Sequence, residues 1–178
     1  MESRSASEQY NEENWENDSG STQSEDGSSS NESIFKYLHG EVKKKFNDLG
    51  KYKDSEKFST MLETRSFFIF ENFDMYEGQW NIAANKPEGQ GVMIRARDHK
   101  LFEGYFAEGK LNGHGRSINE LGDLYVGQWK DNKKHDKGVF TWGLETEWAG
   151  HTYEGEYQNG IKCGYGAYTW PDGKKYEG

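Results

Sequence analysis

From residue 76 onward apolar and polar positions alternate one by one, and the alternation returns in copies. Tyr76-Glu77-Gly78-Gln79-Trp80 is echoed by Phe102-Glu103-Gly104-Tyr105-Phe106, by Tyr125-Val126-Gly127-Gln128-Trp129 and by Tyr153-Glu154-Gly155-Glu156-Tyr157, and Tyr176-Glu177-Gly178 begins a fifth copy. In an extended strand successive side chains point to opposite faces, so the two aromatics and the central glycine of each copy share one face and the Glu/Gln positions share the other. The pattern predicts an aromatic face that packs and a polar face that can meet water. Gly between two aromatics leaves room for a neighbouring ring to lie over the backbone.

Each strand is followed by turn chemistry and a second strand. Glu108-Gly109 and Asn159-Gly160 offer the positive-φ positions of a tight turn. A Gly-x-Gly element then opens the return strand: Gly89-Gln90-Gly91, Gly113-His114-Gly115 and Gly164-Tyr165-Gly166. The third copy departs from this, with Asp136-Lys137-Gly138 in its place, and its tail from Gly143 to Thr152 is longer than in the other copies and carries Trp148. An exposed Trp148 would mark a partner contact; a Trp148 folded back would cover the sheet. Gly122-Asp123 and Asp172-Gly173 turn the chain into the next copy. Residues 67–75, beginning Phe67-Phe68-Ile69-Phe70, read as a degenerate strand ahead of the first clear copy, placing the array at 67–178.

Upstream the period changes. Phe35, Leu38, Val42, Phe46 and Leu49 line one helical face over residues 34–53, Lys43, Lys44 and Lys45 lie towards the other side, and Gly50 is the expected stop. Such a helix within the 34–66 segment either caps the sheet or meets a membrane surface or partner. Thr60 and Glu63 have capping-box spacing for a second short helical turn. Residues 1–33 are Ser, Glu, Asn and Asp with almost nothing to bury, and a disordered tail is predicted. Its serines beside acids, as in Ser24-Glu25-Asp26 and Asn31-Glu32-Ser33, are candidate phosphate acceptors.

Tyr-Glu-Gly-x-Trp, a short turn, Gly-x-Gly and an Asp-Gly turn together resemble the MORN repeat, over residues 76–178. The resemblance implies an all-β repeat fold: one elongated, twisted antiparallel sheet of tandem hairpins. It also implies a non-catalytic scaffold for protein–protein interaction in a cytoskeletal, ciliary or axonemal assembly. Two alternatives come with it: a phospholipid- or membrane-associating module, and the regulatory N-terminal part of a larger enzyme such as a phosphatidylinositol phosphate kinase. A chain ending at Tyr176-Glu177-Gly178 leaves two expectations, an edge strand that closes the sheet or a longer protein.

Composition narrows these readings. Aromatics make up 15% of a chain that is only 32% hydrophobic, and Gly numbers 22, which suits Gly-punctuated hairpins better than an aliphatic globule. Residues 1–33 carry a net charge of −8, residues 34–66 +3 and the remainder −4. An array without basic excess is not expected to bind nucleic acid, and its charge disfavours anionic lipid. With the single cysteine Cys163 no intrachain disulfide is possible, and no apolar run exceeds Phe67–Phe70, so a soluble cytoplasmic protein is expected. His135 and Cys163 occupy the repeat position held elsewhere by Glu88 and Asn112, which reads as a tolerant turn. No zinc spacing, phosphate-cradling loop or oriented Cys163–His151 pair stands out, so no enzyme activity, metal or cofactor is expected. The candidate sheet or partner surface is the aromatic ladder Tyr76, Trp80, Phe102, Phe106, Tyr125, Trp129, Tyr153 and Tyr157. The repeat-turn glycines are Gly78, Gly89, Gly91, Gly104, Gly113, Gly115, Gly127, Gly138, Gly155, Gly164 and Gly166. A protein partner or self-association is expected.

Overall fold

The computed structural model describes residues 33–52 and 62–178. The predicted tail, apart from Ser33, and Thr60 of the predicted capping box lie outside the described residues. Glu63, the other half of that box, heads a strand rather than a helical turn.

A 3-10 turn at Ile34–Tyr37 leads into helix α1, Gly40–Leu49. Ten strands follow, each hydrogen-bonded to the next in chain order. They are β1 (Glu63–Ile69), β2 (Met75–Asn81), β3 (Lys86–Arg95), β4 (Lys100–Ala107) and β5 (Lys110–Ile118). The second half comprises β6 (Leu124–Lys130), β7 (Lys133–Thr141), β8 (Thr152–Gln158), β9 (Ile161–Thr169) and β10 (Lys175–Glu177). All pairings are antiparallel, so the fold is an open sheet of hairpins, as the alternation predicts. At about 4.8 Å per strand the sheet is roughly 43 Å wide. It begins at Glu63, ahead of the aromatic run at Phe67, because Glu63, Thr64 and Arg65 pair with Trp80, Gln79 and Gly78 of β2.

The turns follow local chemistry. Glu108 and Gly109 take φ of 52° and 78°, and Asn159 and Gly160 take 52° and 87°, the signs that a two-residue hairpin turn needs. Asp131-Asn132 does the same at 50° and 65° without a glycine, since short polar side chains tolerate the left-handed region. Asp136 adopts φ 48°, matching Gly89, Gly113 and Gly164, so the third copy keeps the backbone of the Gly-x-Gly element after losing its first glycine.

In three hairpins the facing glycines admit a tyrosine ring, though from the same strand rather than a neighbouring one, while at Gly104 and Gly115 the side chain against them is Leu111. The Tyr76 hydroxyl donates to the Gln79 carbonyl at 2.6 Å, and a Cβ on Gly91, paired with Gly78, would lie 2.2 Å from the Tyr76 hydroxyl. Tyr125 repeats the arrangement, donating to the Gln128 carbonyl at 3.0 Å and leaving a Cβ on Gly138 only 2.3 Å from its hydroxyl.

The Glu/Gln face meets water only in part. The 3-10 turn and α1 lie on this face of β2–β5, where Ile34, Leu38 and Val42 bury against Ile94, Leu101 and Ile118. Each such side chain contributes about 1.5–3 kcal/mol on burial. The predicted continuous helix over 34–53 is broken in two because Leu38 is extended and Gly40 takes φ 51°. Gly50 caps α1 as expected, donating its N–H to the Phe46 carbonyl. Leu49, placed by its spacing on the apolar face, stays 42% exposed. No described helix is long and apolar enough to cross a membrane.

Candidate functional site

The aromatic ladder is built by a rule that links consecutive copies: the first aromatic of one meets the second aromatic of the next. Tyr76 contacts Phe106 edge-on at 5.3 Å between ring centroids, Phe102 contacts Trp129 at 5.9 Å, and Tyr125 contacts Tyr157 at 5.1 Å. Tyr76, Trp80, Phe102, Phe106, Tyr125, Trp129 and Tyr157 are all 3% exposed or less. Burial makes these seven the packing of the sheet and removes them from contact with a partner. Tyr153 is half-buried.

What fills the space beside the ladder changes along the array. The residue paired with the second aromatic is Pro87 opposite Trp80 and Leu111 opposite Phe106, but Lys134 opposite Trp129 and Lys162 opposite Tyr157. Leu111 is fully buried. Lys134 instead lays its ammonium over Phe140 at 4.8 Å, and Lys162 lies 4.3 Å from the Tyr153 ring and 4.5 Å from the Trp142 ring. Loss of hydration, with repulsion from Lys134, lowers the Lys162 pKa to about 8. Aligning the copies by their first aromatic exposes these two lysines in the sequence; the motif reading missed them because it stopped at the repeated residues.

Beside Lys162 a groove of about 980 Å³ opens, lined by Phe140, Trp142, Trp148, Tyr153, Tyr168, Trp170 and Tyr176, with Leu121, Asp123, Glu145 and Glu147 on its walls. The long tail of the third copy supplies one wall. Gly143 has no room for a side chain, since a Cβ there would lie 1.8 Å from the Leu121 carbonyl oxygen, and its N–H donates to Asp123 at 2.7 Å. This close stacking of two loops sets Leu121 beside the insertion. Trp148 meets His151 edge-on at 5.5 Å yet remains 48% exposed, with Leu121 at 44% and Leu144 at 68%. Trp148 therefore both folds back and presents a face. Glu145 and Glu147 are exposed and have no ion-pair partner among the described residues.

His135 and Cys163 line a separate hollow of about 520 Å³ with Gln128, Asp136, Lys137 and Glu156. His151 lies elsewhere, its Nδ1 2.6 Å from the Tyr168 hydroxyl. Among the described residues no group of three or more His, Cys, Asp or Glu is placed to hold a metal ion.

On the opposite face the repeated Glu acts as a tether. Glu77 accepts the Ser33 hydroxyl at 3.0 Å and the Ile34 N–H at 2.9 Å. Glu103 accepts the Arg116 Nε at 2.6 Å and the Tyr52 N–H at 3.3 Å, while Arg116 also donates to the Gly50 carbonyl. Two copies of one motif residue thus hold the two ends of the 33–52 segment. Burial pushes the Glu103 carboxyl above its ordinary range, with Arg116 opposing.

Comparison with known proteins agrees with this architecture. The family model of the MORN repeat matches residues 76–97, 102–118, 125–143 and 153–175. Alsin of Mus musculus and Alsin of Homo sapiens are each 32% identical over 97 residues, which cover 51% of this chain and 5% of Alsin. MORN repeat-containing protein 3 of Xenopus laevis is 36% identical over 56 residues, 32% of this chain and 21% of that protein. The matched region is thus a small part of the length of these curated relatives.

Proposed function

Because the chain belongs to the MORN-repeat family, we propose that it works as a non-catalytic scaffold that binds a protein partner through the groove beside the third-copy insertion. The observation that carries this reading is the exposed apolar patch of Leu121, Trp148, Trp170 and Tyr176 in one groove with Glu145 and Glu147. Buried packing accounts for most of the ladder, whereas this patch has no structural duty that demands exposure. The partner chemistry it suits is a protein segment with apolar side chains flanked by Lys or Arg, the latter finding both unpaired carboxylates and aromatic faces. The setting proposed is a cytoplasmic cytoskeletal or axonemal assembly, which is what the family resemblance implies.

A second reading, association with anionic lipid, draws on Lys43 and Lys44, which are exposed on α1 away from its buried face. One set of variants separates the two. Isolation of the full chain from its source cells is expected to yield a partner at fixed stoichiometry, lost on Trp148→Ala with Leu121→Ser and retained on Lys43→Gln with Lys44→Gln. Flotation with phosphatidylserine vesicles that depends on the two lysines, with no partner sensitive to Trp148, would overturn the scaffold reading in favour of lipid.

A further inference from the structure

The geometry points to Ser33 as a phosphorylation site whose modification releases the 33–52 segment from the sheet. Ser33 is half-buried and donates its hydroxyl proton to Glu77 Oε2 at 3.0 Å, the same oxygen that takes the Ile34 N–H at 2.9 Å. Immediately beyond this bond lie Ile34 and Leu38, 0% and 1% exposed, so one carboxylate secures the front of the covering segment. The rear is held independently by Glu103 and Arg116 at Gly50 and Tyr52. In sequence Ser33 follows Ser28-Ser29-Ser30-Asn31-Glu32, placing the bond where the serine- and acid-rich stretch meets the fold.

Phosphoryl transfer from a nucleoside triphosphate would form an Oγ–P bond and break the bond between the γ-phosphorus and the bridging oxygen, with nucleoside diphosphate leaving and the hydroxyl proton passing to the kinase's base. The modified oxygen can no longer donate, and a group carrying about −1.5 to −2 charge replaces the donor beside a carboxylate. A phosphate at the start of a long helix is often stabilising, but this turn is only four residues long and the Ile34 N–H is already taken by Glu77. The nearest base on the turn is Lys36, whose ammonium lies 4.9 Å from the Tyr37 ring centroid. Like-charge repulsion at Glu77 dominates, and lifting the segment uncovers Ile94, Leu101 and Ile118. This role of Ser33 concerns the helix-covered face and does not depend on a partner occupying the groove.

Amide hydrogen exchange on the full chain carrying phosphoserine at position 33 tests the assignment. Exchange over residues 34–49 should accelerate at least about tenfold relative to the unmodified chain, with β4 and β5 far less affected. Ser33→Ala should accelerate exchange less than phosphorylation does, since it loses the bond to Glu77 and the cap on the Phe35 N–H but gains no charge, and Glu77→Gln in the phosphorylated chain should restore much of the protection. Unchanged or slower exchange on phosphorylation, as when the phosphate pairs with Lys36, would overturn the assignment. So would a failure of Glu77→Gln to restore protection, or absence of phosphate at Ser33 in chain isolated from its source cells.

Discussion

The two halves of the sheet share one backbone and differ in what covers it. Across the helix-covered face a single row of paired residues reads Met75, Ile94, Leu101, Ile118 and Leu124 in the first half, then Thr141, Thr152, Thr169 and Lys175 in the second. The aliphatic half takes the 33–52 segment; the threonine half needs no cover, because a β-branched hydroxyl side chain suits a solvated strand face. On the aromatic face the same division sets Pro87 and buried Leu111 against Lys134 and Lys162. The repeated residues dictate the hairpins, and the residues between them decide which surfaces are sealed.

The contrast breaks most sharply on the aromatic face. Phe106→Ala removes a 1%-exposed ring wedged against Tyr76 and should cost about 3–5 kcal/mol in urea denaturation. Tyr153→Ala, the replacement of a half-buried first aromatic in the second half, should cost about 1–2 kcal/mol. Equal losses would mean that the two halves are packed alike. Leu101→Thr sharpens the comparison on the other face by giving the first half the chemistry of the second. A cost of about 2–4 kcal/mol is expected, with faster exchange of the α1 amides, because Leu101 is fully buried beneath the covering segment. Unaltered α1 protection would show that Glu77 and Glu103 alone retain the segment.

Much of this division was legible in the sequence and part of it was not. Strand alternation, hairpin turns and Gly pairs are local: each depends on residues adjacent in the chain or one hairpin away, so Tyr76-Glu77-Gly78 or Asn159-Gly160 can be read directly. The docking of Ile34 and Leu38 joins residues more than forty positions apart through Glu77, and neither the covered face nor the split at Leu38–Gly40 follows from a helical period alone. The groove beside the insertion was hard to read for a similar reason. Repeated aromatics mark what every copy needs, namely packing, whereas the groove combines repeated aromatics such as Tyr153 and Tyr176 with residues of the third-copy insertion such as Trp148.

Asp136→Gly tests whether the irregular third copy keeps the common backbone at a cost. At φ 48° a glycine avoids the strain of a Cβ while adding freedom to the unfolded chain, so a net gain of about 0.5 kcal/mol is expected. Asp136→Val at the same place should lose at least about 1 kcal/mol, since a β-branched residue resists positive φ. If glycine is destabilising and valine neutral, the third copy has its own backbone and the likeness between halves fails at that hairpin.

The smallest effect concerns Lys162, the residue that most distinguishes the second half. Its ordinary pKa of 10.5 falls to about 8 in the folded chain through burial against the rings and the neighbouring Lys134. Below pH 8 the ammonium is charged in both states, and the folded state bears the loss of hydration. As pH rises from about 8 to 10.5 the folded chain releases its proton first, so stability relative to Lys162→Met should rise across that window and be lost again as pH falls through 8. The rings strip water from the ammonium, yet Lys162 as a residue is exposed, so screening keeps this gain small, and the direct reading is the titration of the isotope-labelled Lys162 ammonium by NMR. A midpoint near 8 that moves up on Lys134→Met fits two cations sharing the rings around Phe140. A midpoint near 10.5, indifferent to Lys134, would mean that Lys162 lies in water, and the second half would then differ from the first in exposure alone rather than in the chemistry of its aromatic face.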